Sequence, residues 1–153
     1  MDANTFQCEV LKIERLMYHV AYASLSSAQD CADAVQEALL RAWRKRYTLR
    51  SLESFRPWMV RILVHTITDM QRKRRPALLP VEESVPPPGI ENLALHEALQ
   101  ALPQEMRCTI ALYYLDGCSI QECARMLRVP EGTVKSRLSR ARVQLRDFLT
   151  EED

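Results

Sequence analysis

The chain has 153 residues, 47% hydrophobic and 27% charged, which is room for one or two small globular domains. It contains no apolar run near the roughly 20 residues a membrane span needs, which predicts no membrane insertion, and "MDANTFQCEV" lacks the basic start and apolar core of a secretory leader, which predicts a cytoplasmic protein. A net charge of +1 conceals a segregation: residues 1–75 carry +5, residues 76–93 carry −3 and residues 94–153 carry −1, with the bases gathered at 44–46, 72–75 and from Lys135 to Arg146. Local potential, more than the total, steers a surface toward phosphate.

Three glycines against eight prolines, with no alternating strand pattern and no repeat, predict an all-α chain. A first helix is expected from about Phe6 to Ser24, with Val10, Ile13, Met17, Val20 and Ala21 on one side. A second is expected from an Asp30 N-cap to about Arg46. Its apolar positions are Val35, Ala38, Leu39, Ala42 and Trp43, and its polar face carries Asp33, Gln36, Glu37, Arg41 and Arg44. "YTLRSLES" reads as a loop. A third helix spans about Phe55 to Arg74. Its stripe of Met59, Ile62, Leu63, Thr66 and Met70 is widened by Val60, Val64 and Ile67, so it is buried on more than one side or docks something. Trp58, Arg61, His65 and Asp69 share another face of that helix. They form either the solvated edge of a core helix or a stacking and phosphate surface for single-stranded nucleic acid.

Residues 75–92, "RPALLPVEESVPPPGIEN", hold five prolines, a glycine and three acids, and divide the chain. Three consecutive prolines favour an extended, semi-rigid spacer. The expected layout is a domain over 1–75, an acidic Pro-rich linker over 76–93 and a second domain over 94–153. Units this small are marginal alone, so they should pack on each other or on a partner.

In the second unit Gly117 is placed to stop a helix, and Ser119 with Glu122 has the spacing of a capping box that starts the next one. Ile120, Cys123, Ala124 and Leu127 give that helix its apolar stripe. Pro130 suits the first position of a further helix. There Val134, Leu138, Ala141 and Leu145 form a core stripe, Lys135, Ser136, Ser139 and Arg140 lie opposite, and Thr133 and Arg137 flank them. Short donors and long cations with no acid among them, on the second of two helices joined by a tight turn, make a helix-turn-helix pattern. An ordinary helical hairpin is the bland alternative.

Five cysteines, an odd number with no C-x-x-C pair, argue against a disulfide framework. Cys118 and Cys123 with Cys108 and His96 could be imagined as a zinc site, but Cys123 sits on an apolar stripe and reads as core. No Ser/His/Asp cluster, Gly-rich phosphate loop or H-E-x-x-H is present, so neither catalysis nor a cofactor or metal is expected.

The stretches "DCADAVQEALLRAWRK", "FRPWMVRILVHTITDMQRKRR" and "ALQALPQEMRCTIALYYLDGCSIQECARMLRVPEGTVKSRLSRARVQL" together resemble an extracytoplasmic-function (ECF) RNA polymerase sigma factor of the sigma-70 family. The resemblance implies that Asp33, Gln36, Glu37, Arg41 and Trp43 dock on the clamp coiled coil of core RNA polymerase, the second domain contacting the flap of the second subunit. It implies that Tyr47, Arg50, Trp58, Arg61, His65 and Arg72 open and read the minus-ten element. It implies that Lys135, Ser136, Arg137, Ser139 and Arg140 read the minus-thirty-five element of promoter DNA. An anti-sigma partner and a bacterial, nucleoid-associated location are implied too. His65 stands where many members have Asn, Ser139 where some have an aromatic, and Ala38 where a larger apolar residue is frequent. The "EGTVKSRL" helix is shared by LuxR-type regulators, so a helix-turn-helix regulator acting without polymerase is the alternative; it leaves the second helix and "QRKRR" unused.

Overall fold

The computed structural model describes residues 1–73 and 93–151. Arg74, Arg75 and residues 76–92 of the predicted spacer lie outside the described residues. The described chain forms seven α-helices and no strand: α1 (Ala3–Ser24), α2 (Ala28–Arg44), α3 (Phe55–Lys73), α4 (Leu93–Gln100), α5 (Gln104–Ile110), α6 (Ile120–Leu127) and α7 (Glu131–Glu151).

Local chemistry accounts for the boundaries. Asp2 caps α1 by accepting from the Thr5 N–H at 2.7 Å, so the helix starts earlier than Phe6. The N-cap of α2 is Ser27 and not Asp30: the Ser27 hydroxyl accepts from the Asp30 N–H at 3.1 Å, leaving Asp30 in the first turn, where an acid suits the helix dipole. The helix ends at Arg44, and the expected loop holds two single 3-10 turns, Arg46–Thr48 and Leu52–Ser54. The capping box at Ser119 and Glu122 is present in both directions. Gly117 takes the left-handed conformation (φ 67°) at the stop before it. Pro130 sits one residue before α7, its carbonyl accepting from Thr133 and Val134. Arg128, at φ 55°, ends α6 in the left-handed conformation usual for glycine. Between α5 and Gly117 the chain makes one wide π turn, Ala111–Leu115, in which the Asp116 N–H reaches the Ala111 carbonyl at 3.2 Å.

The two expected units share one core. α1 packs on α2 and α3 with one side and on α4, α5 and the π turn with the other, while α3 also packs on α6. From Leu16 to Ser24, α1 is therefore buried on nearly all sides, Tyr18 alone being half-buried. Its last turn carries no basic residue. Its open carbonyls are met mostly from the second unit. The Gln100 side-chain amide donates to Ala23 O at 3.0 Å and Arg107 to Ser24 O at 2.9 Å, joined by Gln71 of α3 on Ser24 O at 3.1 Å. α3 is buried on more than one side, as its wide stripe predicts. Met59, Val60, Leu63, Thr66 and Ile67 are inaccessible.

Candidate nucleic-acid interface

Helix α7 presents the split that its periodicity predicts. Val134, Leu138 and Ala141 are fully buried, and Leu145 is half-buried against the same core. Lys135, Ser136, Ser139 and Arg140 are all exposed, as are Arg142, Val143 and Arg146, which extend the strip. Arg137 stands apart: it lies on the flank, 16% exposed, with its guanidinium 4.0 Å from Glu105 of α5. Arg142 lies 5.9 Å over the ring of Tyr114, which is itself exposed. Apart from Glu131 in the first turn, no acid interrupts the strip before Asp147. Gly132 has nothing within 4 Å of where a Cβ would stand, so the start of the helix is open to a close approach.

The N-terminal unit carries two further surfaces. On α2, Asp33 and Gln36 are exposed and Glu37 is half-exposed. Leu40 shares their face and is 47% exposed. Sequence reasoning left Leu40 out because it belongs to no stripe; its signal was an apolar residue at i+3 and i+4 from Glu37 and Gln36. Arg41 is committed within the fold. It donates to Asp69 of α3 at 2.8 Å and to Glu37 at 3.2 Å, tying α2 to α3. The Arg41 hydrogen bond holds the Asp69 carboxyl below its usual range. Trp43 packs edge-on against Phe6 at 5.3 Å, with the Arg46 guanidinium 3.9 Å over its ring, so it is a half-buried bolster of the helix end.

The face of α3 singled out by spacing is divided among different neighbours. Asp69 joins Arg41, and Trp58 is half-buried against Phe55. Arg61 reaches across to α6 and donates to the Arg125 carbonyl at 2.7 Å. Burial, together with the nearby Arg128 and Arg125, pushes its pKa down. His65 and Arg72 are exposed, as are Tyr47 (82%) and Arg50 in the adjoining turns. Arg56, which the sequence reading passed over, also crosses to α6. Its guanidinium lies 3.3 Å from Glu122 and 3.0 Å from the Cys118 sulfur.

His96 and Cys108 each have their own neighbours, while Cys118 and Cys123 lie together, the Cys123 thiol 4.0 Å from the Cys118 carbonyl. His96 of α4 stacks on Tyr22 at 4.2 Å. Cys108 sits beside Ser24 and Gln104. Cys123 is fully buried in the core, and burial pushes its thiol up to about 12. Another buried group joins the units: His19 of α1 and Asp116 beyond the π turn meet at 2.9 Å, with 2% and 8% of their side chains exposed.

A helix-turn-helix with an unopposed cationic face, sharing a core with a second helical unit, defines a DNA-binding protein of two helical parts. The model for Sigma-70 region 2 matches residues 10–77, and that for Sigma-70, region 4 matches residues 92–145. The chain is 34% identical over 141 residues to the ECF RNA polymerase sigma factor SigM of Mycobacterium tuberculosis, covering 88% of this chain and 72% of the relative. It is 30% identical over 142 residues to the RNA polymerase sigma factor SigV of Bacillus subtilis, covering 89% and 86%. Its fold matches that of the sigma factor RpoE of Bartonella quintana, solved with the anti-sigma factor NepR, at a TM-score of 0.75, 25% identity and coverage of 95% and 96%. The fold also matches CnrH, solved with the cytosolic domain of CnrY, at 0.78 and 24% identity, covering 99% of this chain and 92% of that one. The chain belongs to the sigma-70 family, as an ECF-type RNA polymerase sigma factor. The region 2 match accounts for the N-terminal helices that a LuxR-type regulator leaves unused.

Proposed function

We propose a division of labour within this sigma factor. The domain over 1–75 docks on the clamp coiled coil of core polymerase and opens the promoter, and the domain over 94–153 contacts the flap of the second subunit and reads the minus-thirty-five element. The spacer over 76–93 links them. Lys135, Ser136, Ser139 and Arg140 face the major groove, with Arg137 on the flank toward the backbone. Asp33, Gln36 and Glu37 form the docking strip together with Leu40. Arg41 and Trp43 position that strip from behind. Tyr47, Arg50, Trp58, Arg61, His65 and Arg72 meet the minus-ten strand. The protein acts in the bacterial cytoplasm at the nucleoid, has no catalytic step of its own, and is held by an anti-sigma protein until needed. The observation that carries this reading is the exposed cationic strip of α7 lying opposite fully buried Val134, Leu138 and Ala141.

Run-off transcription with purified core polymerase tests it. Initiation at selected promoters should depend on adding this chain. Arg140→Ala should weaken minus-thirty-five binding by about 1–3 kcal/mol and relax its sequence preference, if the contact is bidentate to a base. Arg61→Ala with His65→Ala should keep polymerase binding yet lose open complexes, with rescue by a pre-melted bubble. Unchanged permanganate footprints in that double variant would remove α3 from strand opening.

A further inference from the structure

Two arginines bracket the reading strip of α7, one on each flank, and the fold holds them differently. Arg137 is turned toward α5, its side chain 16% exposed and its guanidinium 4.0 Å from Glu105. Arg142 lies on the other flank, seven residues after Lys135 and on nearly the same side of the helix. It is exposed and, among the described residues, has neither an ion pair nor a hydrogen bond. What it has is the ring of Tyr114, with its guanidinium carbon 5.9 Å from the ring centre. Tyr114 stands in the π turn, 51% exposed, and Tyr113 backs it edge-on at 4.9 Å.

The two modes of holding an arginine differ chemically. A carboxylate occupies donors of the fork and offsets its charge. A ring attracts the guanidinium through its π face and leaves the charge and the in-plane donors open. An arginine held in that way is suited to a phosphate, which it can meet with two parallel hydrogen bonds. Its level along α7 fits the same partner. The open Gly132 end is the one that can approach DNA closely, and the major groove is about 8.5 Å deep. Arg140 lies about 7.5 Å along the axis from Lys135, within that depth, and Arg142 about 10.5 Å, at the rim where the phosphates run.

We infer that Tyr114 and Arg142 form a backbone clamp, in which Tyr114 is a positioning residue that holds the Arg142 guanidinium toward a duplex phosphate at the edge of the minus-thirty-five element. The clamp rests on the proposed reading of that element by α7. It sets the depth and register of the reading helix and carries no base preference of its own.

The test uses the full chain bound to core polymerase and a fluorescent duplex promoter fragment taken from the run-off assay, with affinity read over a salt series. Arg142→Ala should lower the slope of log affinity against log salt by about 0.9, one phosphate's share. Tyr114→Leu should weaken binding by about two- to fivefold, the scale of an exposed cation–π contact. Tyr114→Phe keeps the ring without the hydroxyl and should bind as the unaltered chain does. In the Arg142→Ala background Tyr114→Leu should cost nothing further, a coupling that a merely structural tyrosine would not show. Each loss should be the same factor on a fragment with one base of the minus-thirty-five element changed, since a phosphate contact carries no sequence information. Additive losses, an unchanged salt slope in Arg142→Ala, or a loss in Tyr114→Phe equal to that in Tyr114→Leu overturns the clamp. Arg140→Ala on the same two fragments separates the readings. If it leaves base preference unchanged, the reading of α7 fails and the clamp with it. If it relaxes that preference while the cycle is additive, the clamp alone fails.

Discussion

Replacing Arg107 by Met tests whether the second unit finishes the first helix. Arg107 donates to Ser24 O at 2.9 Å and to its own unit's Leu102 O at 2.7 Å. Hydrogen bonds from a charged donor contribute about 1.5–3 kcal/mol each, and a cation at a helix C-terminus adds about 0.3–1 kcal/mol. Against this stands the cost of burying the guanidinium, the same burial that pushes its pKa down. The expected net loss for Arg107→Met is about 2–4 kcal/mol, a large share of the roughly 5–15 kcal/mol available to a chain of this size. Arg107→Lys keeps a point charge without the fork and should lose about half as much. The Gln100 side-chain oxygen accepts from Arg107 at 3.4 Å, and the side-chain amide nitrogen donates to the neighbouring Ala23 carbonyl. Gln100→Ala and Arg107→Met should therefore be non-additive by about 0.5–1.5 kcal/mol. Urea unfolding at 25 °C, followed by circular dichroism, reads the three single variants and the double variant against the unaltered chain. A loss below about 1 kcal/mol for Arg107→Met, or strict additivity, would refute the idea that α1 is closed off from the second unit.

Arg128→Gly should raise stability by about 0.5–1 kcal/mol, because the left-handed cost of about 1–2 kcal/mol to a non-glycine exceeds the added entropy of the unfolded chain; a lower melting temperature would contradict this. Burial depresses the His96 pKa below its usual 6.5, so the folded chain binds that proton less readily than the unfolded one. That contribution is complete above 6.5 and is lost as pH falls through the depressed value. His96→Phe, which keeps a ring against Tyr22, should flatten the stability profile between about pH 5 and 7. Burial raises the Asp116 pKa above 3.8, opposed by the bond to His19, so its contribution has the opposite sign. It is greatest below 3.8 and falls as pH rises through the raised value. The stability of Asp116→Asn relative to the unaltered chain should therefore improve with pH across that window, as unfolding midpoints at matched pH will read.

What the sequence made legible was local. Ser119, Glu122, Gly117 and the α7 stripe each declare themselves within a few residues, because caps and helical periodicity are short-range. The N-cap of α2 was misread because "SSAQD" offers three cap-forming side chains within five residues, and only the path of the chain selects Ser27. The joint between the units was out of reach. His19 and Asp116 are 97 residues apart, and Gln100 meets α1 across more than 70. One hint was present: Val20, Ala21, Tyr22 and Ala23 run apolar without a break, as a helix does when it has no solvent side. Arg128 gave no signal, since an arginine in a glycine conformation follows no propensity rule. For the strip on α7, spacing and charge sufficed. For α3 they did not, because nothing local reveals that Arg61 turns toward α6 while Asp69 turns toward α2.

The π turn at Ala111–Leu115 has a consequence for how this chain tolerates insertions and deletions. A turn closed from i to i+5 holds one residue more than an α turn, so everything after it lags by about one residue, or about 100° around the axis. Removing a single residue between 113 and 115 would let the stretch relax into ordinary helix, with no loss of backbone bonding there. Asp116 would then swing about a quarter turn away from His19, and Gly117 would arrive out of phase with the bend it makes. The deleted chain would keep its helices and lose their aim. Along these three positions the number of residues is constrained before their identity is.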